Sequence, residues 1–179
     1  MLQDLDDFAP YVLPDPNKPE QHPGAIAARL CEFEEHKHIK DAELRIEFLM
    51  ACSGVFKGGK TVIGTTHLPT VQGRLKSLFE MLLAQFFGGM PDFLITLDLP
   101  WWEQASDRER EALIWHELSH IRQETDKFGE LKFDRDGNPT FGLVEHDITA
   151  FRSEVARYGA WTPDIADFLT AANTANSDA

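Results

Sequence analysis

His116-Glu117-Leu118-Ser119-His120 puts two imidazoles four residues apart in a stretch patterned as a helix, and no other feature of the chain restricts its fold so tightly. A helix advances about 3.6 residues per turn, so positions four apart share a face and both rings can reach one metal ion. Glu117 stands one position off that row, where a carboxylate can handle protons beside a metal without holding it. This is the spacing of zinc-dependent peptide hydrolysis. The segment around the pentapeptide supports a helix. Ser106-Asp107-Arg108-Glu109 is a capping box that starts it at Ser106. Ala112, Leu113, Ile114, Trp115, Leu118 and Ile121 then put apolar side chains on more than one face, as in a helix buried between a sheet and other helices.

A hydrolytic zinc takes three protein ligands and keeps a fourth position for water. The compact extension with a third histidine six residues on is absent: that position is Asp126, and Gln123 replaces the expected glycine. This excludes a metzincin. Glu130, Glu145, His146 and Asp147 remain, across an expected hairpin of Leu131–Phe133, a turn at Asp134–Asn138 and a return strand Thr140–Val144. The return strand is expected to bring Glu145-His146-Asp147 beside the helix, at the start of the next one. His146 is taken as the third ligand, with Glu145 as the alternative. Asp147 suits an N-cap, or a carboxylate that holds a ligand imidazole.

Pro91-Asp92-Phe93-Leu94-Ile95 through Trp101-Trp102, Arg108 to His120, Asp136-Gly137-Asn138-Pro139, Glu145 to Phe151 and Arg157-Tyr158-Gly159 together resemble the phage metallopeptidase family, a small zincin-like group related in outline to SprT-like proteases. The resemblance spans roughly residues 36 to 161. It implies a metal set of His116, His120 and His146. Where acidic residues are expected before the phenylalanine, this chain has Thr149 and Ala150.

Hydrophobic periodicity sets the expected organisation. Residues 1–23 contain five prolines and no sustained period, and 170–179 are small and polar, so both are expected to be mobile around a single domain over 24–169. A helix is expected over about 24–37, a strand over Leu44–Met50, a partner strand over Thr61–His67 and a helix from Leu75 to Phe86, stopped by Gly88-Gly89. A strand Phe93–Leu99 precedes the zinc helix, and Ile148, Phe151, Val155 and Tyr158 stripe a last helix. The expected class is α+β: a zincin-like domain with a small sheet, the active-site helix, a hairpin and a following helix.

Composition narrows the function classes. With 42% hydrophobic and 26% charged residues the chain is ordinary globular protein. It shows no signal peptide and no apolar run near the ~20 residues of a membrane span, which points to the cytoplasm, that of a bacterial host if the chain is phage-encoded. Cys31 and Cys52 make neither a disulfide framework nor a Cys-rich zinc site. A formal charge of −13 opposes nucleic-acid binding, which needs clustered Lys and Arg.

Gly54-Val55-Phe56-Lys57-Gly58-Gly59-Lys60-Thr61 matches the phosphate-loop pattern, but the β-branched, glycine-interrupted run Thr61–Thr66 reads as a strand, and phosphate binding requires a helix there. The loop is expected to be a hairpin connection. Asp134-x-Asp136 lacks calcium-loop spacing and reads as a turn. His36 and His38 fall on different helix faces, which favours a solvated or interhelical role over metal binding. Trp101-Trp102 is assigned to packing before a substrate pocket. His67, Arg152, Arg157 and Tyr158 are unranked candidates for stabilising an oxyanion.

The expected function is a zinc endopeptidase acting on peptide or protein substrates, with one zinc on His116, His120 and His146 and with Glu117 as general base. The strand Phe93–Leu99 is expected to pair with extended substrate. The second reading is an interaction protein that keeps the zincin fold and binds a basic host factor, suggested by the acidity of the chain. The sequence assigns no oligomeric state.

Overall fold

The computed structural model describes residues 10–53, 55–57, 60–148, 152–160 and 162–177. They divide into two units, one ending at Val144 and one beginning at Glu145. The first unit carries a mixed sheet in the order β1-β2-β6-β5, formed by Tyr11–Val12, Ile46–Ala51, Phe93–Asp98 and Gly64–His67. β2 and β6 run parallel in the centre, with Ile46 opposite Phe93 and Ala51 opposite Asp98. β5 is antiparallel to β6 and forms one edge, while β1 is antiparallel to β2 and forms the other.

Alternation explains the central strands. Phe48 and Met50 on β2, and Phe93, Ile95 and Leu97 on β6, are buried and enter one core. Helix α1 (Pro23–Leu30) adds Ile26, Ala27 and Leu30 to that core, and α5 (Asp107–Ser119) adds Leu113, Ile114 and Leu118. Burying a side chain of this size contributes roughly 1.5–3 kcal/mol. The sheet and the helix that carries His116 and Glu117 are therefore stabilised by the same contacts.

The expected helix over 24–37 is divided. α1 ends at Leu30, and a separate α2 covers Lys37–Asp41. Between them His36 is fully buried, its ring edge-on to Trp115 of α5 with centroids 4.4 Å apart. This corrects the solvated reading of His36, since the interhelical alternative holds. Burial, with the Arg122 guanidinium nearby, pushes its pKa down to about 4. His38 meets the backbone carbonyl of Ile121 through Nε2 at 2.9 Å.

The run 61–67 also splits. β3 (Val55–Lys57) and β4 (Lys60–Val62) make an antiparallel hairpin with Lys57 opposite Lys60, and β5 follows after Ile63. Thr61 lies in a strand, as the argument against a phosphate loop requires, while Gly54, Gly58 and Gly59 fall outside the described residues. α3 (Lys76–Phe87) then leads to β6 and is closed by Gly88 in the left-handed region at φ 71°. A short α4 (Leu99–Gln104), capped by the Asp98 carboxylate on the Trp101 amide, was not expected; of its residues, Leu99 read as the end of a strand.

After α5 the chain turns into β7 (Ile121–Gln123), which pairs antiparallel with β8 (Phe141–Leu143). The expected hairpin is thus relocated. Its turn is present, with Phe133 bridged to Pro139 and the Asp134 carboxylate accepting the Asp136 and Asn138 amides, but the return strand lies along β7. The second unit contains α6 (Arg152–Tyr158) and α7 (Pro163–Ser177), in which Ile165 is buried. Phe151 and the departures Thr149 and Ala150 lie outside the described residues. Among the described residues no helix is long and apolar enough to cross a membrane.

Candidate metal centre

The capping box expected at Ser106 is formed in full. The serine Oγ accepts the Glu109 amide at 3.3 Å, and the Glu109 carboxylate accepts the Ser106 amide at 2.8 Å. Arg110, one turn in, is buried and donates to the Trp102 carbonyl at 2.9 Å and to Asp107 at 2.9 Å, locking the start of α5 to α4. A helix fixed at its N-terminus and packed along Leu113, Ile114 and Leu118 presents His116, Glu117 and His120 from a rigid base.

The two rings of the pair stand with centroids 5.1 Å apart and nearly perpendicular. Val144, the residue after β8, then fixes the second histidine. The Val144 amide donates to the His120 carbonyl at 2.8 Å, and the Val144 carbonyl lies 2.7 Å from His120 Nδ1. A carbonyl only accepts, so Nδ1 donates to it and Nε2 is the candidate ligating atom of this ring. His146 follows Val144 by two residues. One donor atom from each of His116, His120 and His146 lies within 4.8 Å of the other two. Three imidazoles at this separation, one already oriented by a backbone carbonyl, fit the nitrogen donor set that zinc and its first-row neighbours prefer. Glu145, the alternative ligand, is not part of this cluster.

Glu117 belongs to the same helix but is held quite differently. It is 2% exposed, and its Oε2 accepts the Thr66 hydroxyl at 2.8 Å. Thr66 Oγ1 also lies 3.0 Å from the Glu117 carbonyl, so one side chain of β5 pins both ends of the glutamate. Gly64 supplies the space. A Cβ there would stand 2.5 Å from Glu117 Oε1 and 3.0 Å from Leu113 Cδ1, a separation that real Cβ atoms do not tolerate. Neither Gly64 nor Thr66 was singled out from the sequence. The signal was a lone glycine in a β-branched run, which marks a close approach of another chain segment.

A cleft of about 370 Å³ opens beside this carboxylate, lined also by Ile63, Gly64, Trp101, Glu109, Leu113 and His116. The tryptophan pair divides the two roles weighed for it: Trp102 is buried in the core, while Trp101 faces the cleft. The candidate oxyanion donor His67 is displaced from the centre. Residues alternate along β5, so Gly64 and Thr66 face Glu117 while His67 faces the opposite side of the sheet, where Nε2 meets Thr96 Oγ1 at 3.1 Å. Arg157 and Tyr158 belong to the second unit, where the guanidinium sits 5.5 Å from the phenol ring centroid.

The strand expected to receive substrate is also corrected. β6 is hydrogen-bonded on both sides, to β2 and to β5, and has no edge to offer. The edge on the Glu117 side of the sheet is β5.

A family model described as Putative phage metallopeptidase matches residues 20–173 of the chain. No curated protein and no solved structure matches it.

Proposed function

The chain belongs to the phage metallopeptidase family, and on that premise we propose that it is a zinc endopeptidase of zincin-like fold, with His116, His120 and His146 as metal ligands and Glu117 as general base. The observation that carries this reading is the convergence of three imidazole donors within 4.8 Å, next to a glutamate that is not one of them. A family name alone would support a metal and a peptidase; the donor chemistry and the separate carboxylate support the finer assignment.

When bound, zinc supplies Lewis acidity, which makes water a better nucleophile near neutral pH and polarises the scissile carbonyl. The protein does the rest. Glu117 takes the proton from the attacking water and returns it to the leaving amine. Thr66 keeps the carboxylate aimed during both transfers, and Gly64 leaves it room. Val144 holds the His120 ring in the ligating tautomer. The outer edge of β5 offers backbone donors and acceptors to an extended peptide, a mode that reads main chain and tolerates varied sequence. Ile63, Trp101, Ala112 and Leu113 make the adjoining recess apolar, which favours an apolar substrate side chain next to the cleaved bond.

The test is a cleavage profile of the purified, zinc-loaded chain against a denatured protein mixture. Cuts clustered beside large apolar residues, suppressed by a chelator, are expected. Absence of any cleavage by zinc-loaded protein counts against the peptidase; cleavage without side-chain preference counts against the recess as a subsite.

A further inference from the structure

α3 is the least explained element of the first unit. Eight of the twelve residues in its sequence, KSLFEMLLAQFF, are apolar, yet none of its residues is buried. Phe79, Leu83, Ala84 and Phe87 are half-buried on one side. The other side exposes Leu75, Leu78, Leu82 and Phe86 in one stripe at helical spacing, with Met81 beside it and Met90 just beyond the helix. Leu75 is 65% exposed and Phe86 55%. At roughly 100 Å² each, these six side chains form a patch of about 600 Å², at the upper limit of what monomeric proteins leave in water.

We propose that α3 is a dimerisation surface, packed antiparallel about a twofold axis against α3 of a second copy of this chain. Three observations select that occupant. The first is area: two such patches bury about 1,200 Å², the lower bound of a standard specific interface. The second is self-complementarity. A stripe running the length of one helix meets its own copy in a twofold arrangement with apolar residues opposite apolar residues throughout.

The third is charge. Copies of a chain with a formal charge of −13 repel each other, and α3 adds no net charge to a contact, because Lys76 and Glu80 offset each other. The ends of the helix are complementary to each other. With Lys76 offset by Glu80, Arg74 gives the N-terminal end its cation, and it adds to the positive pole of the helix dipole. The C-terminal end has its carbonyls and the nearby Glu47 and Asp92 carboxylates, set against the single guanidinium of Arg45, which donates to the Phe87 carbonyl. Antiparallel pairing brings the basic end of each helix to the acidic end of its partner. An anionic bilayer would have to accept the same strongly acidic chain with Arg74 as the one uncompensated cation at this helix end to attract it, so the second copy is the better fit.

Sedimentation of the full chain at micromolar concentration tests the proposal. The wild type is expected at twice the 20.3 kDa of one chain. Leu78→Glu combined with Leu82→Glu is expected to sediment as a monomer with unchanged circular dichroism, and Arg74→Glu to weaken association about tenfold, equivalent to ~1.4 kcal/mol. Should the double variant misfold, Leu82→Cys in a Cys52→Ser background gives an independent readout, because a short bis-maleimide should link its chains in pairs. A monomeric wild type, a dimer that survives the glutamate substitutions with its fold intact, or a monomer that binds anionic vesicles through α3 would each overturn the proposal. None of these outcomes depends on peptidase activity, so this proposal and the functional one fail separately.

Discussion

Glu117→Gln is expected to lower peptide hydrolysis ~10²–10⁴-fold, the usual cost of losing a positioned general base, while metal content and fold stay at wild-type levels. Glutamine has the shape of glutamate and still accepts the Thr66 hydroxyl, so the contacts that bury this side chain survive. What is lost is the ability to take a proton. Rates on a verified peptide, together with zinc content and thermal unfolding, separate these effects. A variant that hydrolyses at the wild-type rate would remove Glu117 from the mechanism. The same variant addresses the interaction reading, since capture of a basic host protein should be indifferent to this carboxylate and proteolysis should not be.

His146→Ala is expected to weaken zinc binding by more than ~10²-fold, because even partners one step removed from a metal typically cost 10–100-fold. Glu145→Ala is expected to leave it unchanged. His146 is exposed, so its truncation creates no cavity and the fold should persist. Competition against a chromophoric chelator reads both affinities. Wild-type affinity in His146→Ala, with loss in Glu145→Ala, would transfer the third ligand to the glutamate.

The readable parts of the chain were those set by local pattern. The capping box at Ser106, the closing Gly88 and the alternation in Phe93–Asp98 each depend on neighbours within a few residues, and each is present in the structure. So is the hairpin that replaces the phosphate-loop reading. Elements decided by distant partners were not readable. That β6 is central and β5 is the edge depends on which strands meet after folding, and the alternation of Phe93–Asp98 is compatible with either position. His36 was left between a solvated and an interhelical role because helix spacing ignores Trp115, some eighty residues later in sequence. At the site, the spacing of His116 and His120 announced itself, but Thr66 and Gly64 act across a sheet-helix contact that no local rule encodes. Only the glycine left a trace.

Titration of metal-stripped protein with zinc, followed by the rate of peptide hydrolysis, tests the central claim most directly. Activity is expected to be absent from the stripped chain, to rise in proportion to added zinc and to level off at one zinc per chain, with no such rise in Glu117→Gln. Hydrolysis that persists in the stripped protein, or that zinc fails to restore while the metal binds at one per chain, would contradict the account.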